Sequence, residues 1–374
     1  MDLDFTSEQD MLRDSAAKFL ANECPYDKVK ELEESEEGYS PEVWQQMAEL
    51  GWTGLLFPEE YGGYGGEFMD LIIIQEEIGK RVVPSPFLST VIQCGLIILE
   101  GGSEEQKQDL LAQISEGGVI MALAQYEEEA SYLETGINME AKADGDAYVL
   151  NGTKMFVMDA NIADKLIVAA RTSKGVTLFL VDAKDPGITT TKMPTIGKDN
   201  NCEVIFKNVK VSKGDVIGPV GGGWDILEKM NAKAAVAKAA EMVGGSKTCI
   251  EMTAAYAKER EQYGKPIGGF QAIQHYMANM LLAYDTAYNY LYRVVCMIDE
   301  GEDFTTPASI VKACSNENFK FISERAVQIH GGIGTTREHD IGLFYRKAKA
   351  YEFMFGDTDY HYEKIAQHLV TEGP

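Results

Sequence analysis

Ala147-Tyr148-Val149-Leu150-Asn151-Gly152-Thr153-Lys154 is the stretch on which the fold class turns. Upstream of it apolar residues recur at helical spacing, and here the period changes. Residues 147–150 form a short β-rich run. Asn151-Gly152 reads as a hairpin turn, because both residues tolerate positive φ. Residues 166–170, 176–181 and 204–206 are further runs of the same kind. Short strands divided by turns, with no helical pattern between them, predict an antiparallel sandwich or barrel over residues 117–222.

On either side the pattern is helical. Thr6 and Gln9 form a T-x-x-Q capping box ahead of Met11, Leu12, Ala16 and Phe19. Ser40-Pro41 is an N-cap with a first-turn proline, followed by Val43, Met47 and Leu50 at helical spacing. Helices resume at 70–79 and 91–100, between Gly62-Gly63-Tyr64-Gly65-Gly66 and Pro84-Ser85-Pro86 punctuation. Beyond the β region, long helices are expected at 224–263 and 271–299. A third, opened by Thr306-Pro307, runs to 330, and a last one from 342 is broken at Gly356. The fold class is therefore α+β: an N-terminal α-helical domain (1–116), a middle antiparallel β-sandwich or barrel domain (117–222) and a C-terminal four-helix bundle (223–374).

The chain of 374 residues carries 34 basic against 59 acidic side chains, a net charge of −25. A phosphate-binding face needs the opposite sign, so nucleic acid and anionic membrane surfaces are excluded as partners. A hydrophobic content of 45% marks a folded globular chain rather than an acidic tail. Met1-Asp2-Leu3-Asp4-Phe5 is acidic where a signal peptide is basic, and Leu71-Ile72-Ile73-Ile74 is far short of a membrane span. Six dispersed cysteines without a CxxC pair suit free thiols and a cytoplasmic location. The five histidines give no HExxH, and no metal site is expected. Asp357, Asp359 and His361 alternate, but Asp357 reads as the N-cap of a final helix. Gly218-Pro219-Val220-Gly221-Gly222-Gly223 lacks a phosphate-loop pattern and reads as a hinge. Taken alone, Arg260 is a solvated helix-end cation and His330 a structural residue beside a helix C-cap.

Several segments together carry more. Arg260-Glu261-Gln262-Tyr263-Gly264-Lys265-Pro266-Ile267 is followed by Phe270-Gln271, and Gln328-Ile329-His330-Gly331-Gly332-Ile333-Gly334 comes later. Glu59-Glu60-Tyr61-Gly62-Gly63, Gly152-Thr153-Lys154 and Phe344-Tyr345-Arg346-Lys347-Ala348 stand in the same order. With the α, β, α succession, they resemble the acyl-CoA dehydrogenase family over essentially the whole chain. The resemblance implies FAD as cofactor and an acyl-CoA as substrate. It implies base-mediated removal of the α-proton, transfer of the β-hydride to the flavin, and an electron-transfer flavoprotein as electron acceptor. It also implies that Arg260, Tyr263, Phe270, Gln271, Gln328, Gly331 and Gly332 reach the ADP half of an FAD held mainly by a neighbouring subunit.

The chain departs from the family pattern elsewhere. T-E-P-x-x-G-S-D is replaced by Ala124-Gln125-Tyr126-Glu127-Glu128-Glu129-Ala130-Ser131, whose three acids would repel a pyrophosphate. K-x-W-I-T becomes Lys154-Met155-Phe156-Val157-Met158. The Glu-Gly-Thr that carries the family's base aligns with Phe355-Gly356-Asp357. The alternative glutamate position on the first bundle helix is Ala234, beside Ala235. Glu352 and Asp357 are the nearest carboxylates, each more readily explained as structural. Retained ADP motifs with altered flavin-ring motifs favour a heteromeric tetramer, in which this chain completes the partner's FAD site. A self-sufficient homotetramer using Asp357 or Glu352 on a bulky or cyclic acyl-CoA is the second reading. A non-catalytic structural subunit is the third.

Overall fold

A computed structural model of the protein describes residues 5–371; the acidic Met1-Asp2-Leu3-Asp4 stretch lies outside the described residues. The chain divides into two compact units. One comprises the residues through Lys30, Phe68–Val83 and everything from Ala235 onward; the other comprises Glu31–Glu67 and Pro84–Ala234.

The first unit is helical. Helix α1 (Ser7–Glu23) starts at the expected capping box: Thr6 Oγ1 accepts from the Gln9 N–H and the Gln9 side chain returns to the Thr6 N–H. After α2 (Tyr26–Glu34) the chain passes to the second unit for α3 (Pro41–Glu49), and α4 (Phe68–Arg81) then carries the Leu71–Ile74 run into the interior of the first. Its N-terminus is held by Asp299, whose carboxylate accepts from the N–H groups of Phe68 and Met69 at 2.7 and 3.0 Å. Gly79 and Gly244 let two helices touch backbone to backbone. A Cβ on either would lie within 2.2 Å of a carbonyl oxygen, that of Glu241 or Glu76.

In the second unit, Ser40 caps α3 with Pro41 at its first position, as its sequence requires. The segments α5 (Gly95–Gly101), α6 (Glu104–Gln106) and α7 (Ala112–Ser115) follow a π-helical turn at Phe87–Cys94. Two four-stranded sheets come next. One is ordered β1 (Met121–Ala124), β4 (Lys165–Thr172), β5 (Gly175–Asp182), β8 (Val216–Ile217). The other is ordered β2 (Ala141–Asp144), β3 (Ala147–Met158), β7 (Asn201–Ser212), β6 (Ile188–Lys192). Leu150, Val157, Leu166, Val168, Phe179 and Val204 from both sheets share one core. Full burial of each such side chain is worth about 1.5–3 kcal/mol.

Three local expectations are corrected here. Asn151-Gly152 is not a hairpin turn: β3 runs straight through it, and the register against β7 slips between Leu150 and Gly152. The bulge leaves Asn151 Oδ1 free to accept from the Asn208 N–H at 2.8 Å. The actual hairpin is Asp144-Gly145-Asp146-Ala147, with Gly145 at φ +62°. The sandwich is not wholly antiparallel, because β1 pairs with β4 in parallel. The 218–223 glycines are close-packed rather than a hinge: a Cβ on Gly221 would lie 2.4 Å from the Lys174 carbonyl oxygen.

The C-terminal helices are α8 (Gly223–Glu259), α9 (Gln271–Asp299), α10 (Thr305–His330), α11 (Ile341–Tyr351) and α12 (Thr358–Thr371). Helix α10 packs against α9, α11 and α12. Helix α8 stops at Glu259, four residues before its expected end, because Glu261–Gln262 (β9) and Lys265–Pro266 (β10) form a small ribbon. Thr306 is not the cap of α10; the Asp303 carboxylate accepts from the Thr305 N–H at 3.0 Å instead. All six cysteines are free. No helix among the described residues is long and apolar enough to cross a membrane.

Candidate functional site

The residues expected at the ADP half of the cofactor all belong to the helical unit. Arg260 follows the last turn of α8, its N–H donating to the Tyr256 carbonyl at 2.8 Å. The ribbon reverses at Tyr263-Gly264, with φ of +54° and +79°. Tyr263 is 95% exposed. A tyrosine in left-handed backbone costs about 1–3 kcal/mol, and in water its ring recovers nothing by burial. It stands edge-on to Phe270 at 6.2 Å. Phe270 precedes the first residue of α9, Gln271.

Helix α10 brings Gln328 to the same place. A cavity of about 580 Å³ is lined by Tyr263, Phe270 and Gln328, together with Gln262, Tyr276 and Arg325. Arg260, Gln271, Gly331 and Gly332 are chain neighbours of its lining and not part of it. Gly331 ends α10 at φ +66°, and a Cβ on Gly331 or Gly332 would meet nothing within 4 Å. Their backbone is open to a ligand. His330 has the structural role: its Nδ1 bonds the Ala326 carbonyl at 2.7 Å and its ring stacks on Tyr256 at 4.5 Å. Burial lowers its pKa and keeps it neutral.

The position at which the resemblance expects the base is occupied by a phenyl ring. Phe355 is buried at φ +60°. Asp357 is engaged as a helix cap, Oδ1 accepting from the Tyr360 N–H at 2.8 Å. Glu352 pairs with Lys320 at 3.6 Å. Ala234 and Ala235 are buried on α8. Lys312, missed from sequence, holds the loop from below. Its buried Nζ donates to Asn316 Oδ1 at 2.6 Å and to the carbonyls of Tyr351, Glu352 and Gly356 at 3.2, 3.3 and 3.1 Å. Burial, reinforced by the Lys238 cation, pulls its pKa well below the ordinary lysine range. His361 closes the other side, bonding the Phe355 carbonyl at 3.1 Å through Nε2. The signal for Lys312 was its phase: it lies on the stripe of Ala308, Ser315 and Phe319, where a lysine must find internal acceptors.

The stretch expected near the flavin ring lies in the other unit. Glu127 is not a free repelling charge. Its Oε1 accepts from the N–H groups of Asn138 and Met139 at 3.0 and 2.9 Å and from Lys154 Nζ at 2.8 Å. Lys154 is fully buried and also donates to the Gln125 carbonyl at 3.1 Å. Burial pushes its pKa down to about 8 despite the Glu127 carboxylate. Glu128 and Glu129 remain exposed to water. Phe156 bulges from β3 at φ +54° and is 42% exposed, with Met158 half-buried two residues on.

Tested against FAD, the two ends differ. The ADP end fits: it has open glycine backbone, an aromatic-walled cavity and arginines. The ring end does not: no hydroxyl stands at Met158, and the carboxylates nearest the base position are engaged elsewhere.

Three family models match the chain in order: the acyl-CoA dehydrogenase N-terminal domain at residues 6–118, middle domain at 122–209 and C-terminal domain at 221–370. An acryloyl-CoA reductase (NADH) of Anaerotignum propionicum is 31% identical, the match covering 99% of this chain and 96% of that protein. The caffeyl-CoA reductase–Etf complex subunit CarC of Acetobacterium woodii is also 31% identical, over 95% and 96%. The butyryl-CoA dehydrogenase structure from Megasphaera elsdenii superposes with a TM-score of 0.92 at 28% identity, covering 99% of this chain and all of that one.

Proposed function

Because this chain belongs to the acyl-CoA dehydrogenase family, FAD-dependent oxidoreductases acting on a CH–CH bond, we propose that it is one subunit of a heteromeric enzyme of that type. In this reading the chain lends Arg260, Tyr263, Phe270, Gln271, Gln328, Gly331 and Gly332 to the ADP half of an FAD whose ring the partner subunit holds. The partner also supplies the base. The observation that carries the proposal is the asymmetry between an open ADP end and a base position closed by Phe355.

The relatives named as reductases, one of them a subunit of a complex with Etf, support an electron-transfer flavoprotein as redox partner. They also support reduction as a direction open to the reaction. A self-sufficient homotetramer would need Asp357 or Glu352 as base, and both carboxylates are already committed to a helix cap and an ion pair. The dispersed free cysteines suit a cytoplasmic setting.

The test is to purify the chain alone and with its partner and record visible spectra. Flavin is expected in the complex and not in the lone chain. Stoichiometric FAD that bleaches with an acyl-CoA in the lone chain would sink the half-site reading; no flavin in either would leave only a scaffold.

A further inference from the structure

We propose that Arg325, together with Arg260, binds the diphosphate of the ADP arm of FAD and so sets this chain's grip on its neighbour's cofactor. The inference rests on the half-site reading above and adds a residue to it.

Arg325 lies one turn before Gln328 on α10, and both line the cavity that holds Tyr263 and Phe270. Its guanidinium lies over two aromatic rings, 5.2 Å from the centroid of Tyr276 and 5.5 Å from that of Phe321. Such stacking fixes the plane of the group and leaves N–H edges available, where a lysine would offer only a point charge.

The electrostatic setting sharpens this. In a chain with 59 acids and 34 bases, a cation without an acid beside it is unusual. Among the described residues, no carboxylate forms an ion pair with Arg325. The adjacent Glu324 is turned to Lys349 at 2.7 Å. Arg260 likewise has no ion pair among the described residues, although Glu259 and Glu261 flank it in sequence. Arg325 lines the aromatic-walled cavity and Arg260 is a chain neighbour of that lining; left unpaired in a protein of charge −25, they favour an anion there. A diphosphate accepts the fork's parallel hydrogen bonds, and the exposed ring of Tyr263 suits a planar base. An adenosine diphosphate group has both features. FAD and CoA both contain one, and the cavity's place beside the open backbone of Gly331 and Gly332 assigns it to FAD.

The experiment uses the assembled enzyme carrying Arg325→Gln, Arg325→Lys or Arg260→Gln. FAD released through an ultrafiltration membrane is measured across a salt series, and acyl-CoA affinity is measured separately by flavin perturbation. Unchanged helical circular dichroism and assembly size check that each variant folds. The expected result is FAD retention about tenfold weaker for Arg325→Gln, with a shallower salt dependence. Arg325→Lys should recover the salt dependence and only part of the affinity, and acyl-CoA affinity should not change. If Arg260→Gln weakens retention and Arg325→Gln does not, the role of Arg325 is overturned while the half-site reading stands. If neither variant affects FAD, both are overturned. A loss confined to acyl-CoA affinity would overturn the FAD assignment.

Discussion

Lys154 shows how misleading a charge read from sequence can be. Glu127-Glu128-Glu129 looks like a repulsive run, yet Glu127 is consumed by a buried ammonium and two backbone N–H groups. Pairing between residues 27 positions apart depends on which strands lie side by side, and that has no local signature. His361 was legible only as part of an Asp-x-Asp-x-His alternation. In the fold its ring is buried, and its pKa is pushed down to about 3 by burial first and then by the Lys312 and Lys364 cations. In the unfolded chain it takes a proton near its ordinary 6.5. Above that pH both states are neutral and His361 contributes no slope. As pH falls from 6.5 toward 3 only the unfolded state gains the proton, so stability is lost at up to about 1.4 kcal/mol per pH unit. Urea unfolding of the wild type and His361→Gln between those limits should show a shallower pH slope in the variant. Equal slopes would mean that His361 titrates normally in the fold.

At the scale of the element, capping and turn chemistry were the most legible features. Thr6 with Gln9 and Ser40 with Pro41 start helices as their local sequences require, since the partners lie within one turn. Asp357 was read correctly as the cap of the last helix. Replacing it by Ala should lower unfolding free energy by about 1 kcal/mol, while Asn, which caps as well, should change it by only a few tenths. The Asn variant should also leave turnover of the assembled enzyme intact. An inactive but stable Asp357→Asn enzyme would restore the displaced-base reading. Strands were harder. Asn151-Gly152 and Asp144-Gly145 both tolerate positive φ, so local sequence does not say which of them is the hairpin. Only the register of β3 against β7 shows which of them turns and which bulges. The parallel pairing of β1 with β4 was equally hidden, because four buried residues carry no record of direction.

For the whole molecule, the charge of −25 is a standing self-repulsion that dissolved salt screens. Raising sodium chloride from about 0.01 M to about 1 M shortens the screening length from roughly 30 Å to 3 Å. The melting temperature of the lone chain should rise across that range. A constant or falling value would mean that local ion pairs, such as Lys30 with Asp340 and Lys349 with Glu324, outweigh the net repulsion. The same charge gives the unpaired Arg325 in the cavity lining its meaning: against a negative field it is a local attraction for an anion.

The α, β, α order, the fold class and the family were legible without coordinates. They depend on period, composition and short motifs, and those are properties of neighbouring residues. The segments at 260–271 and 328–332 were legible too as motifs, and the structure brings Tyr263, Phe270 and Gln328 of them to one cavity. The cage of Lys312 around the 351–356 loop, the neutralisation of Glu127, the close packing of Gly221 and the placement of Arg325 over Tyr276 were decided only by tertiary structure. Each joins groups distant along the chain, and a buried charge finds its acceptors only where folding places them.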